Sequence, residues 1–396
     1  VTIGSPRALQ CLHGLQDFEA PAARRLPRFL RETIAGGAQD GWSQRENRRA
    51  FERLAFAPQV LVDTSARHAG VQVLGQAWSA PFGIAPMGGM GLAARDADRA
   101  MARAAAAADI PFVLSGASLV RMEEVLRVNP RSWFQAYLGP GADEQRALVR
   151  RARDAGFGTL VVTVDVPVGG HREADLRNGV RSPLRPGWRL AADALAHPRW
   201  LVGTLLRTLV AEGMPHFENF GPARQPAIAW RGQRAHRREQ LDWGALQRVR
   251  EAWPHRLVLK GVLAPEDARR AREAGMDAVV VSNHGGRQLD GALAPLDALP
   301  AVRAQAQAMT VLLDSGVRRG GDVLKARALG ASLVFVGRPF LWAAVVGGQA
   351  GVARAIELLR AEVLRDLALL GCRSLEDLPG RVVPAPGVAA PRDLSS

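Results

Sequence analysis

Eight short apolar runs, rich in β-branched residues, recur from residue 81 onward with Ala/Arg-rich amphipathic stretches between them. The runs are PFGIAPM (81–87), FVLS (112–115), WFQAYL (133–138), TLVVTVD (159–165), LVLKGV (257–262), AVVVSN (278–283), TVLLDSG (310–316) and LVFVGR (333–338). Continuous apolar runs, rather than an apolar/polar alternation, mark strands buried on both faces, as parallel strands are. The segments between them, such as DADRAMARAAAAAD (96–109), DEQRALVRRARDAG (143–156), APEDARRAREAG (264–275) and RGGDVLKARALG (319–330), read as helices, several ending in glycine. Eight such units predict an α/β chain folded as a (β/α)8 TIM barrel, with a doubly wound open sheet as the alternative.

Residues 1–80 read as an N-terminal extension that packs on the barrel, helical over RLPRFLRETIAGGA (25–38) and strand-containing over 60–76. The barrel is expected over 81–372 and a C-terminal tail over 373–396. One connection is far longer than a βα unit needs: about ninety residues separate the fourth and fifth strands. Its stretch 178–240 carries ten arginines and four carboxylates, +6 of the chain's total +14. Within it, HPRWLVGTLLRTLVAEG (197–213) places Trp200, Leu201, Leu205, Leu206, Leu209 and Val210 on one side of a helix flanked by Arg199 and Arg207. Such a helix suits a membrane interface; packing on the barrel or on a neighbouring subunit is the alternative.

Composition narrows the partners. With 396 residues, 47% hydrophobic and 23% charged, the chain is globular. The net +14 draws it to anionic partners, but the charge is spread along helices and no nucleic-acid module is present, so nucleic acid is not expected. Two distant cysteines, Cys11 and Cys372, cannot build a disulfide framework or a metal cluster, which fits a reducing, cytoplasmic setting. No secretory signal is visible, and the longest apolar run, 339–348, is too short to span a bilayer, so membrane contact would be peripheral. Only two of the 52 basic residues are lysines, Lys260 and Lys325, and Tyr137 is the sole tyrosine.

Barrel active sites form at the C-terminal ends of the strands. Those ends carry Pro86-Met87-Gly88, Ser115, Gln135 with Tyr137, Thr163 with Asp165, Lys260, Ser282 to Arg287, Asp314 to Arg318, and Gly337-Arg338. Polar groups at the same end of all eight strands are hard to dismiss as packing. The Gly-rich segments after the seventh and eighth strands, SGVRRGGD and VGRP, offer backbone N–H groups, with Arg318 and Arg338 as forked partners for phosphate oxygens. In SNHGGRQLDG (282–291), His284 can act as a base, Arg287 can grip a carboxylate, and Asp165 can orient His284 and support its charged form.

SNHGGRQLDG, together with WFQAYL, TVDVPVGGHREADLRN, LVLKGVL, DSGVRRGGDVLKARALGA and VGRP, resembles the FMN-dependent 2-hydroxy acid oxidase and dehydrogenase family along nearly the whole chain. The stretch HPRW…GMPHFENF looks most like the membrane-associated (S)-mandelate dehydrogenases, with L-lactate dehydrogenases next. The resemblance implies FMN resting against Pro86, Met87 and Gly88, with Ser115, Gln135, Thr163 and Ser282 on its polar edge. Lys260 would sit by the flavin N1 and O2. Asp314, Ser315, Gly316, Val317, Arg318, Gly337 and Arg338 would take its ribityl chain and phosphate. It further implies Tyr137, Arg172 and Arg287 as substrate-carboxylate residues, His284 as the base with Asp165 behind it, no metal, a quinone or other electron acceptor, and a homo-oligomer, a tetramer in the family. The expected location is the inner face of the cell membrane.

Four positions depart from the family pattern. Thr33 stands where a second substrate tyrosine is usual, and Ala117 where small-substrate oxidases carry a bulky side chain; both imply room for an aromatic or other large hydroxy acid. Gly88 is similar to the dehydrogenase-type members, where oxidases often have alanine. His171 stands beside Arg172 where arginine is frequent. A hydrogen-peroxide-producing oxidase is the remaining alternative activity.

Overall fold

The computed structural model describes residues 6–180, 183–185, 187–221, 224–228 and 238–386. All eight apolar runs are strands: β1 (Phe82–Ile84), β2 (Val113–Ser115), β3 (Trp133–Ala136), β4 (Thr159–Thr163), β5 (Arg256–Val262), β6 (Ala278–Val281), β7 (Thr310–Asp314) and β8 (Leu333–Val336). They pair in parallel in chain order, and β8 returns to β1. A parallel bridge between Ile84 and Phe112 closes the ring. Strands β1, β2, β3, β4, β6 and β8 are buried at every position, which is why their sequences show no alternation. The open-sheet alternative is thereby excluded.

Each strand is followed by a helix that covers it. Carboxylates gather at the helix starts, such as Asp143 and Glu144 on the helix Ala142–Ala155 and Glu266 and Asp267 on Pro265–Glu273, where the helix dipole favours them. The last helix, Arg338–Leu369, is kinked at Gly347 and Gly348, whose dihedrals leave the helical region. The apolar run 339–348 therefore lies in the first limb of a bent, core-packed helix, and among the described residues no helix is long and apolar enough to cross a membrane.

The N-terminal segment wraps the barrel. Its 25–38 stretch is broken by Pro27 into two helices, Glu19–Arg25 and Arg28–Ala35. The 60–76 stretch leads into a hairpin, Val71–Val73 with Gln76–Trp78. The helix Trp42–Glu52 docks on the segment after β6: Asp290 accepts from the backbone N–H groups of Trp42 and Ser43, and Asn47 and Asn283 exchange two buried amide hydrogen bonds of 2.9 and 2.7 Å. Leu54–Phe56 pairs antiparallel with Val382–Pro384, so the start and end of the chain share a two-stranded sheet. Residues 1–5 and 387–396, ends of the expected extension and tail, lie outside the described residues.

The insertion departs from the expected single-faced helix. Pro198–Trp200 and Arg207–Glu212 are α-helical, but Leu201–Leu206 between them is a π-helix. The wider π turn rephases the apolar stripe. Trp200, 3% exposed, packs edge-on against Phe29 and donates its Nε1–H to the Leu92 carbonyl, and Leu201 and Leu205 pack on the core. Leu206, at 44%, and Val210, at 89%, face outward instead, so the six residues do not share one side. Asp193 accepts from the backbone N–H groups of Arg28 and Phe29, capping the helix Arg28–Ala35 from the insertion. Of the basic stretch, Arg181, Arg231, Arg234 and Arg237 lie outside the described residues.

Candidate active site

The residues after β4 and β6 meet at one end of the barrel. His284 Nδ1 lies 3.0 Å from Asp165 Oδ1. A carboxylate can only accept, so Nδ1 carries the proton and Nε2 keeps its lone pair. Burial pushes the His284 pKa down, opposed by Asp165 and assisted by Lys260 and Arg172, so the imidazole is neutral at neutral pH. Burial alone would raise the pKa of Asp165, but His284 and Lys260 hold it below the ordinary carboxylate value. The pair is a neutral base with an ionised carboxylate behind it. The backbone at His284 is left-handed, with φ +58°, an unusual conformation for a residue with a side chain. Its N–H donates to Ser282 Oγ at 3.1 Å.

Lys260, two residues before the end of β5, lies in the middle of this network. Its Nζ donates to Ser282 Oγ at 2.8 Å and pairs with Asp314 Oδ2 at 3.2 Å. Burial opposes the ammonium, yet Asp314 and Asp165 hold its pKa above the ordinary lysine value. Ser315 Oγ donates to Asp314 and accepts from the Gly285 N–H. The next residue, Gly261, has φ +110°, and a Cβ there would lie 2.6 Å from Asp165 Cβ. Only glycine lets β5 bulge so that Lys260 and Asp165 share the barrel mouth.

Two strand ends, those of β3 and β4, carry buried polar atoms that find no partner among the described residues. Gln135 Oε1 accepts from Ser115 Oγ and from the Gly116 N–H, but Gln135 Nε2, Thr163 Oγ1 and Asp165 Oδ2 are buried without partners. Orphaned buried donors and acceptors are rare in native proteins. At the β7 and β8 ends, Arg318 and Arg338 have pKa values pushed down by burial, each to about 10, with Arg48 adding to the push on the first and Arg318 and Arg172 to that on the second. They stay charged at neutral pH, and the neighbouring arginines add positive potential that an anion would relieve. A cavity of about 350 Å³ opens here, lined by Gln44, Asn47, Arg48, Gly316, Arg318 and Arg338 among others. Ribityl phosphate beside these arginines, and a flavin edge against Gln135 and Thr163, would satisfy both sets, so the residues present fit FMN.

On the substrate side, Arg287 Nη1 donates to the carbonyls of Thr33 and Gly36, at 2.6 and 2.9 Å. Burial, with Arg172 and Arg338 nearby, pushes its pKa well down. Arg172 backs it, donating from Nε to the Arg287 carbonyl and from Nη2 to Gln288 Oε1. Thr33 Oγ1 donates to Asp175 Oδ1 at 2.6 Å, so the position expected to lack a tyrosine is occupied by a hydroxyl tied to the helix Glu173–Arg177 after β4. His171 is exposed, and its carbonyl accepts from the Gln39 N–H. Tyr137 lies after β3, its pKa raised by burial and lowered in part by Lys260, Arg238 and Arg172.

Sequence reasoning missed four contributors. Gln288 bridges the β4 and β6 segments, donating to the Asp165 and Val168 carbonyls; its place inside SNHGGRQLDG was a signal that could have flagged it. Asn47 pairs with Asn283 from 236 residues away, without a local signature. Phe220 and Arg238, both from the insertion, lie against Tyr137. Nothing in their sequence surroundings marks them.

The profile of the FMN-dependent dehydrogenase family matches residues 22–384. The chain is 39% identical over 377 residues to "(S)-mandelate dehydrogenase" of Pseudomonas putida, with 93% of each chain covered. It is 40% identical over 388 residues to a "Putative L-lactate dehydrogenase" of Mycobacterium tuberculosis, covering 96% of this chain and 91% of the other. Among solved structures, the "monotopic membrane protein (S)-mandelate dehydrogenase" superposes with a TM-score of 0.87 at 36% identity, over 95% of this chain and 100% of that one.

Proposed function

Because the chain belongs to the FMN-dependent dehydrogenase family, we propose that it oxidises an (S)-2-hydroxy acid with a mandelate-like, aromatic or large side chain to the 2-oxo acid. The observation that carries this reading is the His284–Asp165 pair, set at one barrel end among buried arginines and polar atoms that have no ionic or hydrogen-bond partner, respectively, among the described residues. Arg287 and Tyr137, with Arg172 behind, hold the substrate carboxylate, which supplies the anion that the buried guanidinium lacks. His284 Nε2 then takes a proton from the hydroxy acid while Asp165 steadies the resulting imidazolium. FMN, when bound, supplies the two-electron acceptor. Ser115, Gln135, Thr163 and Ser282 would hold its ring edge, with Lys260 as a compact positive charge beside them and Pro86, Met87 and Gly88 as the supporting surface. Asp314, Ser315, Gly316, Val317, Arg318, Gly337 and Arg338 would hold the ribityl chain and phosphate.

Ala117 and Thr33 support a large substrate, since neither fills the pocket as the bulky side chain or tyrosine would. Gly88 supports transfer of electrons to a quinone or another carrier rather than to oxygen. Anaerobic addition of acids to the purified, FMN-loaded protein tests the reading: (S)-mandelate should bleach the flavin absorbance, with a higher kcat/KM than (S)-lactate. If neither acid bleaches it, the substrate assignment fails. Lactate as the better substrate would move the assignment to an L-lactate dehydrogenase, and rapid reoxidation of the bleached enzyme in air would make it an oxidase.

The insertion supports peripheral membrane contact. Trp188, Leu195, Val202, Leu206, Val210 and Met214 are exposed, and Arg199 and Arg207 stand beside them. Arginines suit an anionic surface such as the inner leaflet of the cell membrane, where a quinone acceptor would be within reach. Co-sedimentation with anionic vesicles tests the contact, and size-exclusion chromatography with light scattering tests the homotetramer.

A further inference from the structure

Two side chains from the insertion converge on the only tyrosine in the chain. The Phe220 ring lies nearly parallel to Tyr137, with centroids 5.8 Å apart and planes at 16°, and Phe217 meets Phe220 edge-on. The Arg238 guanidinium carbon lies 4.5 Å from the centroid of the Tyr137 ring and 5.9 Å from that of Phe220. The Arg238 N–H donates to the Pro167 carbonyl, which fastens this part of the insertion to the segment after β4. Burial pushes the Arg238 pKa down, and Tyr137 is the group that opposes the shift. Among the described residues it forms no ion pair, in a chain where Arg99, Arg151 and Arg269 all find carboxylates.

A guanidinium held over an aromatic face without a counter-ion costs desolvation, and the attraction to the ring offsets part of that cost. The same contact acts on the ring. A cation above the face draws electron density from the phenol, and a more acidic O–H makes a stronger hydrogen bond to a carboxylate. Phe220 restricts the ring but cannot polarise it. Lys260 and Arg172 also bear on Tyr137 electrostatically, as does Asp165 with the opposite sign, so Arg238 is the cation that the insertion adds.

We propose that Arg238 is a positioning residue of the substrate site, acting through Tyr137 to fix the phenol and strengthen its hydrogen bond to the substrate carboxylate. The inference rests on the reading that Tyr137 binds that carboxylate. It makes the insertion part of substrate recognition as well as of the surface.

The sole tyrosine gives the test a single probe. In FMN-loaded protein labelled with 13Cζ-tyrosine, one phenol resonance reports Tyr137, and benzoylformate serves as the carboxylate ligand. R238M should raise the Kd for benzoylformate and the KM for mandelate roughly 3- to 30-fold, the range of a partly desolvated cation–π contact. The loss should fall on KM rather than kcat, the phenol should titrate at higher pH, and R238K should recover most of the loss. In a Y137F background, R238M should cost less than twofold more. An equal cost of R238M with and without the tyrosine hydroxyl would overturn the inference, as would a phenol titration that R238M does not move. If benzoylformate leaves the resonance of the unsubstituted protein unmoved, the reading of Tyr137 itself falls. If benzoylformate moves it but R238M changes neither resonance nor KM, only the role of Arg238 falls.

Discussion

Substituting Gly88 by alanine is the sharpest test of how β1 and β2 share the barrel mouth. A Cβ at Gly88 would lie 2.6 Å from the Ala117 Cβ, far inside the 3.5–4.0 Å or so at which carbons pack. Gly88 has no left-handed backbone conformation to strain an alanine, so the whole cost comes from that one contact. Its neighbour is a Cβ fixed to the backbone rather than the tip of a flexible side chain, so relief requires the 86–88 or 116–118 segment to move by about an ångström. Overpacking of this kind costs about 1–3 kcal/mol. If the displaced segment is the one that supports the flavin, FMN affinity falls by roughly 5- to 150-fold, at about 1.4 kcal/mol per tenfold. Titrating apoprotein with FMN and following quenching of flavin fluorescence measures this directly. A117G should restore binding in the double variant, because it removes the opposing carbon. Should G88A bind FMN as tightly as the parent, or A117G fail to rescue it, the packing of these two segments is not as described.

The acid limb of kcat/KM should have its midpoint below the ordinary histidine value of about 6.5, because burial depresses the His284 pKa and the base works only when neutral. D165N removes the group that raises that pKa, so the limb should move lower still while the rate falls roughly 10²- to 10⁴-fold; a limb that moves upward refutes the assignment. K260M leaves Asp314 buried without its cation and should destabilise the fold by about 3–5 kcal/mol in urea, with K260R no substitute for a point charge in that space. W200A should cost about 3–5 kcal/mol, because the indole is buried and hydrogen-bonded. V210D should change stability by less than about 0.5 kcal/mol yet weaken vesicle binding, and equal vesicle binding by the two proteins would argue against that surface.

The barrel was legible because its strands are buried on both sides, so that hydrophobicity alone marks them; β4 and β5 lie where the runs TLVVTVD and LVLKGV do. Residues at strand ends were legible for the same reason, since the register of a parallel barrel brings every C-terminal end to one mouth. The insertion was less so. A stripe read at 3.6 residues per turn slips when Leu201–Leu206 winds as a π-helix, and no residue type there announces the change. Arg238 and Phe220 were invisible because their partner, Tyr137, lies more than eighty residues earlier, and a cation over a ring leaves no spacing rule in the chain.

The docking of Trp42–Glu52 on the segment after β6 also sets an order of events during synthesis. Its helix emerges early from the ribosome, but Asn283 and Asp290 follow more than two hundred residues later. Contacts of such long sequence separation form late, since the intervening loop must close before they can be made. The early helix must therefore remain unpaired while the first five strands are made. The left-handed turn that presents His284 can be locked by Asn47 only when most of the barrel already exists. A nascent chain halted before β6 would have a partial barrel with no base, so catalytic competence appears in one late step rather than growing with length.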